Sequence, residues 1–247
     1  MRRKRKMRKR FWAWCWPILA ALAGATAIAC ILLWAALAHV PDWYRPPQVT
    51  DAEHNDLKKT LMDTVAGFTD ALPAGKPFRI TLTDDQVSRW IAVRTDVWPG
   101  ADEWVPPYLH EPVVAFESGR AALGARFQRD GWEAILSARL TCDVLDDTIT
   151  IRVDRLACGS CPLPISAVAG QLRPVITAED SDVDIMPDPM AAAVRFLRKK
   201  GNASLLTDGL TVENRLFWKP SERWFRIRSL TLEPGILRAE IEPLGPR

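Results

Sequence analysis

VVAFESGRAALGARFQRDGWEAILSARLTCDVLDDTITIRVDRLACGSCPLP, residues Val113–Pro164, is the stretch that decides the fold. Within it Trp132, Ala134, Leu136, Ala138, Leu140, Cys142 and Val144 alternate with Glu133, Ser137, Arg139, Thr141 and Asp143. Successive side chains of a strand point to opposite faces, so this alternation predicts a strand with one apolar and one mostly polar face. Asp130-Gly131 is a two-residue hairpin signal, because Gly takes the positive φ that a tight turn demands. Folding there sets Phe127 opposite Ala134, Ala125 opposite Leu136 and Leu123 opposite Ala138. A turn at Asp146-Asp147 sets Val144 opposite Ile149, Cys142 opposite Ile151 and Leu140 opposite Val153. On the polar face it sets Arg139 against Asp154, an opposite-charge cross-strand pair. A turn at Gly119-Arg120 sets Phe116 opposite Leu123 and Val114 opposite Ala125. A slip of one residue would send each apolar set to the wrong face, so three turns that agree on one face predict an antiparallel β-meander.

Working outward, residues Met1–Arg10 hold Arg2, Arg3, Lys4, Arg5, Lys6, Arg8, Lys9 and Arg10. From Phe11 to Ala38 come 28 residues without a charge, longer than the roughly 20 needed to cross a bilayer. Trp12, Trp14 and Trp16 at its head and Trp34 near its tail fit interfacial aromatic belts, and the basic decapeptide predicts a cytoplasmic N-terminus. The expected organisation is a basic cytoplasmic tail (1–10), a transmembrane helix (11–38), a Pro-rich linker (39–49) and an extracytoplasmic domain (50–247). The competing reading is a signal peptide cleaved after Ala36-Leu37-Ala38. Eight of the 33 Lys/Arg lie in the first ten residues, leaving 25 against all 30 Asp/Glu in 39–247, a net of −5. A mildly acidic domain argues against nucleic acid as its partner.

Thr50-Asp-Ala-Glu53 is a capping box, and Leu57, Leu61, Val65, Phe68 and Leu72 follow it as one apolar helical stripe. Phe78, Ile80 and Leu82 alternate as a short strand, and Thr83-Asp-Asp-Gln86 caps a helix with Val87, Trp90 and Ile91 inward. Beyond the meander, helices are expected over Ile165–Leu172 and from Asp188-Pro189 to Gly201, and further strands over Leu210–Leu244 with a turn at Pro234-Gly235. The fold class expected is α+β, a twisted antiparallel meander packed on the long amphipathic helix.

Cys158-Gly-Ser-Cys161 has the spacing of a redox pair. It ends an antiparallel strand and Pro162-Leu-Pro164 parts it from any helix, so a local disulfide or two inert thiols are expected instead. Asp180-Ser-Asp-Val-Asp184 copies the start of an EF-hand loop, but Ile185 replaces the required Gly and Ala191 the bidentate Glu. No metal or cofactor is expected. Trp98, Trp104 and Tyr108 in a Pro-rich loop are read as a cap on the core, with a ligand or partner mouth as the functional alternative. Arg195, Arg198, Lys199 and Lys200 share an amphipathic helix that would suit either solvent or anionic lipid. HExxH, GxSxG and P-loop patterns are missing, so no enzyme activity is expected.

The order of N-terminal apolar segment, long helix, Leu82-Thr-Asp-Asp-Gln86, meander and Gly159-Ser-Cys-Pro-Leu-Pro164 resembles the YpmS-like family of bacterial membrane proteins over residues 11 to 175. The resemblance implies a single membrane anchor with an extracytoplasmic β-rich domain, and it transfers no catalytic residues. The function expected is a binding module of the bacterial inner membrane, its periplasmic domain taking lipid or envelope components. The alternative is an interaction or scaffold subunit of an envelope complex, and a thiol-disulfide oxidoreductase through Cys158 and Cys161 ranks third. The partners expected are the lipid bilayer, with a lipid ligand or another envelope protein.

Overall fold

The computed structural model describes residues 2–97, 107–166 and 209–246. An apolar helix α1 (Arg2–Leu37) leads into α2 (Asp51–Ala71), a short 3-10 turn, β1 (Phe78–Thr83), α3 (Asp84–Ala92) and α4 (Arg94–Val97). The meander is β2 (Leu109–Glu117), β3 (Arg120–Arg129), β4 (Trp132–Val144), β5 (Thr148–Cys158) and β6 (Cys161–Leu163). Four further strands follow: β7 (Leu210–Glu213), β8 (Leu216–Trp218), β9 (Arg223–Glu233) and β10 (Ile236–Pro246). They make two antiparallel sheets, a six-stranded one in the order β2-β3-β4-β5-β6 with β7 also on β5, and a four-stranded one in the order β1-β10-β9-β8.

Two of the three predicted registers are those observed. Phe127 faces Ala134 and Leu123 faces Ala138, while Val144 faces Ile149 and Leu140 faces Val153. The first hairpin differs. It turns one residue earlier, with Glu117 opposite Arg120, so Val114 rather than Phe116 faces Leu123. The shift is two residues in pairing, an even number, and the apolar face survives it. The expected Arg139–Asp154 pair is also corrected. A bulge between Arg139 and Leu140 puts Arg155 opposite Arg139, and the guanidinium reaches Glu117 at 3.2 Å instead. Asp154 accepts from the Thr141 hydroxyl at 3.3 Å. One extra residue on β5 is enough, because a bulge sets two residues against one.

The helix α2 presents the predicted stripe, with Leu61 buried and Leu57, Val65 and Phe68 half-buried. Its partner is different from the one expected. Phe68 packs edge-on against Phe78, Trp218 and Phe225 of the four-stranded sheet, around a core of Leu72, Ala239 and Ile241. The Trp218 indole donates to the Thr69 hydroxyl at 2.9 Å and fixes that crossing. The meander's outer edge is guarded by α3, whose Ser88 hydroxyl donates to the Val114 carbonyl at 3.0 Å and accepts from its amide at 2.9 Å. A covered edge cannot template pairing with another chain.

One side chain staples the two sheets. Asn214 is 2% exposed; its amide donates to the carbonyls of Leu145 and Ile227, each at 2.8 Å, and accepts from the Ile227 amide at 2.9 Å. Replacing it with Leu would leave those backbone groups buried and unpaired, at about 1–3 kcal/mol each. The expected result is a fall of several degrees in the melting temperature, read by circular dichroism. An unchanged melting temperature would contradict the staple.

Candidate functional site

The end of α1 and the short segment after it are built into the meander. Residues 39–49, expected as a linker, contribute Tyr44 to a cluster with Val113 and Ile135, each at most 4% exposed, and Trp43 packs against it. The close approach is possible because Gly124 sits mid-strand beneath the two rings. A Cβ there would lie 2.6 Å from the Trp43 ring and 3.0 Å from the Tyr44 ring. The Tyr44 hydroxyl donates to the Glu111 carbonyl at 2.9 Å. Glu111 has φ 50° within the irregular pairing between His110 and Val113, which turns that carbonyl out of the ladder. Arg126 ties Glu111 to Glu133 by ion pairs on the same patch. Burial, and then the Glu111 charge, push the Tyr44 phenol above its ordinary value.

The chain's most conspicuous motif, Cys158-Gly-Ser-Cys161, meets the end of the same helix. The turn between β5 and β6 is Gly159-Ser160, with Cys158 and Cys161 directly opposite each other. The Ser160 amide donates to the Ala36 carbonyl at 2.9 Å and its hydroxyl lies 3.2 Å from the same oxygen. The last carbonyls of a helix have no partner within it, so this turn acts as a C-terminal cap supplied from 124 residues away in sequence. Gly159 holds φ 58° and donates its own amide to the Ile135 carbonyl at 2.8 Å. A Cβ on it would lie 2.3 Å from the Ala36 carbonyl oxygen and 2.6 Å from that of Leu37. Both the backbone conformation and the space require glycine.

Cys158 and Cys161 are free thiols in the structure. Burial, and then the neighbouring Cys161, push the Cys158 thiol up. Burial does the same to Cys142, helped by Asp143. A reactive cysteine needs the opposite shift, since the thiolate is the nucleophile. Alkylation of Cys158 by iodoacetamide in the folded chain is therefore expected to lag a simple thiol at neutral pH. It should rise only above the ordinary thiol range of about 8.5. Residue-resolved mass spectrometry against pH reads this; faster labelling than the simple thiol would restore a redox role.

The remaining predicted site residues are dispersed. Tyr108 is half-buried, stacks edge-on with Phe127 at 5.7 Å and accepts from the Gln128 amide at 2.9 Å, so it closes the end of β3. Trp98 and Trp104 lie outside the described residues, as do Asp180–Asp184 and the predicted basic helix from Asp188 to Gly201 with Arg195. The basic residues from Arg2 to Arg10 form the first turns of α1. Among the described residues, no three His, Cys, Asp or Glu side chains come together as a metal site.

No family model, curated protein or solved structure matches this chain. The resemblance to YpmS-like proteins gains no support from them. The site is one joint, made of a helix end, an aromatic pair and the hairpin turn that caps the helix. From this joint the meander's apolar face runs through Leu136, Ala138, Leu140 and Val144, all half-buried, with Leu123 beside them 38% exposed. Sequence reasoning missed Trp43-Tyr44, although a signal existed. Gly124 interrupts an otherwise regular strand, and an interior strand glycine marks a place where something approaches the backbone.

Proposed function

We propose that this chain is a single-pass membrane protein, N-terminus cytoplasmic, whose extracytoplasmic domain binds an apolar, lipid-like component of the envelope on the open face of the meander. The bilayer is the first partner. Ala20–Leu37 is long and apolar enough to cross it, and none of that stretch is buried against the rest of the chain. Eight Lys and Arg precede the span, against Arg45 alone in residues 39–49 after it, and this excess favours the N-terminal end inside. The observation that carries the binding role is the position of the apolar face. It begins beside the turn capping α1, where Leu136 faces Cys158 and Cys158 faces Cys161, and continues along Leu123, Ala125, Ala138 and Leu140, with Leu163 facing Leu156 at its margin. An acyl chain leaving the bilayer beside α1 would meet a half-buried apolar track without crossing charged surface. Monomeric proteins seldom leave such contiguous apolar surface without using it.

The test uses the full chain in lipid nanodiscs containing a phosphatidylcholine with a photoreactive acyl chain. Labelled peptides from Leu123–Leu140 are expected beside those from α1, and Leu123→Asp is expected to remove the former while leaving the latter. Labelling confined to α1 would overturn the binding role and leave the membrane span standing.

A further inference from the structure

We infer that the tip of the β3–β4 hairpin, Arg129-Asp130-Gly131-Trp132, is a second contact with the membrane, seating the Trp132 indole in the headgroup region. The inference rests on α1 spanning the bilayer. Trp132 is 64% exposed, the largest side chain of the meander left in that state. Its position in the fold gives the exposure a meaning. Gly159 bonds Ile135 and Ser160 bonds Ala36, so residue 135 of β4 lies one turn's width from the end of α1. β5 reverses at that point, whereas β4 continues three residues past it to Trp132. Three residues of strand advance about 10 Å.

The second sheet lies on the other side of the docking point, because β4 runs from there to Val144 and Asn214 staples that far end to β9. What projects past the docking point in the opposite direction therefore faces the bilayer surface from which α1 emerges. Trp34, one turn before the end of α1, is likewise 66% exposed. Tryptophan is the residue that favours this boundary, with an apolar ring and one donor for the wet side.

Charge does not recruit the tip. Arg129 pairs with Asp130 at 3.4 Å, and Arg126 pairs with both Glu111 and Glu133, so two cations stand against three carboxylates. The contact is aromatic, and it should not depend on anionic lipid. Together with α1 it gives the domain two points of attachment, which fixes the domain's tilt and rotation and turns the apolar face of the meander to one azimuth.

Photocrosslinking tests this on the full chain in phosphatidylcholine vesicles, with p-benzoylphenylalanine replacing in turn Ile28, Trp132 or Leu145. Ile28 is 61% exposed on α1; Leu145, at the opposite end of β4, is as exposed as Trp132 at 64%. All three side chains are exposed, so each variant is expected to keep the wild-type circular dichroism spectrum. Lipid adducts at 28 and at 132, with 132 at least fivefold above 145, are the expected result. Adducts at 28 but not above the level of 145 at 132 would overturn the second contact and leave the span intact. Adducts at neither 28 nor 132 would overturn the span and the inference with it. An adduct at 132 that appears only with anionic lipid would also overturn it.

Discussion

Replacing Tyr44 with alanine is expected to cost the domain about 3–5 kcal/mol, the range for removing a buried aromatic side chain. Tyr44 is 4% exposed and closes the cluster of Val113 and Ile135, so truncation opens that cluster to water. It also leaves Gly124, which has no side chain of its own, with a void above it. For a domain of this size such a loss lowers the melting temperature by roughly 10 °C or more. Tyr44→Phe keeps the packing and loses only the hydrogen bond to the Glu111 carbonyl, so about 1 kcal/mol is expected. Thermal unfolding of the full chain in nanodiscs, followed by near-ultraviolet dichroism, separates the two. The phenol adds a pH signature. Its folded pKa is raised, so its contribution is complete below the unfolded value near 10 and is lost as pH rises through the folded value. The alkaline loss should be shallower in Tyr44→Phe. Equal melting temperatures for wild type and Tyr44→Ala would mean that residues 39–49 are a tether and nothing more.

Gly159→Val is expected to separate α1 from the domain. The added side chain would overlap the carbonyl oxygens of Ala36 and Leu37, which are backbone atoms at the end of a helix and cannot move aside singly. A φ of 58° adds backbone strain for a β-branched residue. The local way out is for the turn to leave the helix, with loss of both Ser160 bonds to Ala36. The meander itself keeps its ladders. The variant should therefore melt within a few degrees of wild type, while protease cleavage between residues 38 and 49 accelerates several-fold. Ser160→Ala removes only the hydroxyl contact, and the amide bond to Ala36 remains, so it should resemble wild type.

The meander was legible because a period of two, read with turn residues, leaves few registers that keep one face apolar. Asp130-Gly131 and Asp146-Asp147 place their hairpins correctly. The first hairpin was set two residues off, since a turn can use Gly119 as its second central residue as well as its first. The β5 bulge near Asp154 had no signal, because an extra residue changes the phase of a strand without changing its composition. The stripe of α2 predicted a buried face correctly and could not name the partner, since an apolar stripe fits any apolar sheet. The joint was hidden for a related reason. Trp43, Gly124 and Gly159 are far apart in sequence, and each looks ordinary until the others are placed beside it. Cys158-Gly-Ser-Cys161 drew attention to its cysteines, whereas the two residues between them make the contact with α1.

The central claim is that the domain is fixed to the end of α1 and does not swing on a linker. Double electron–electron resonance on the full chain in nanodiscs tests it most directly. Spin labels carried by non-canonical residues at Leu33 and Asp143, both exposed, would report the distance between helix and meander. A single narrow distribution is predicted for the wild type, and a broad one for Gly159→Val. A broad or multimodal distribution in the wild type itself would contradict the docked joint.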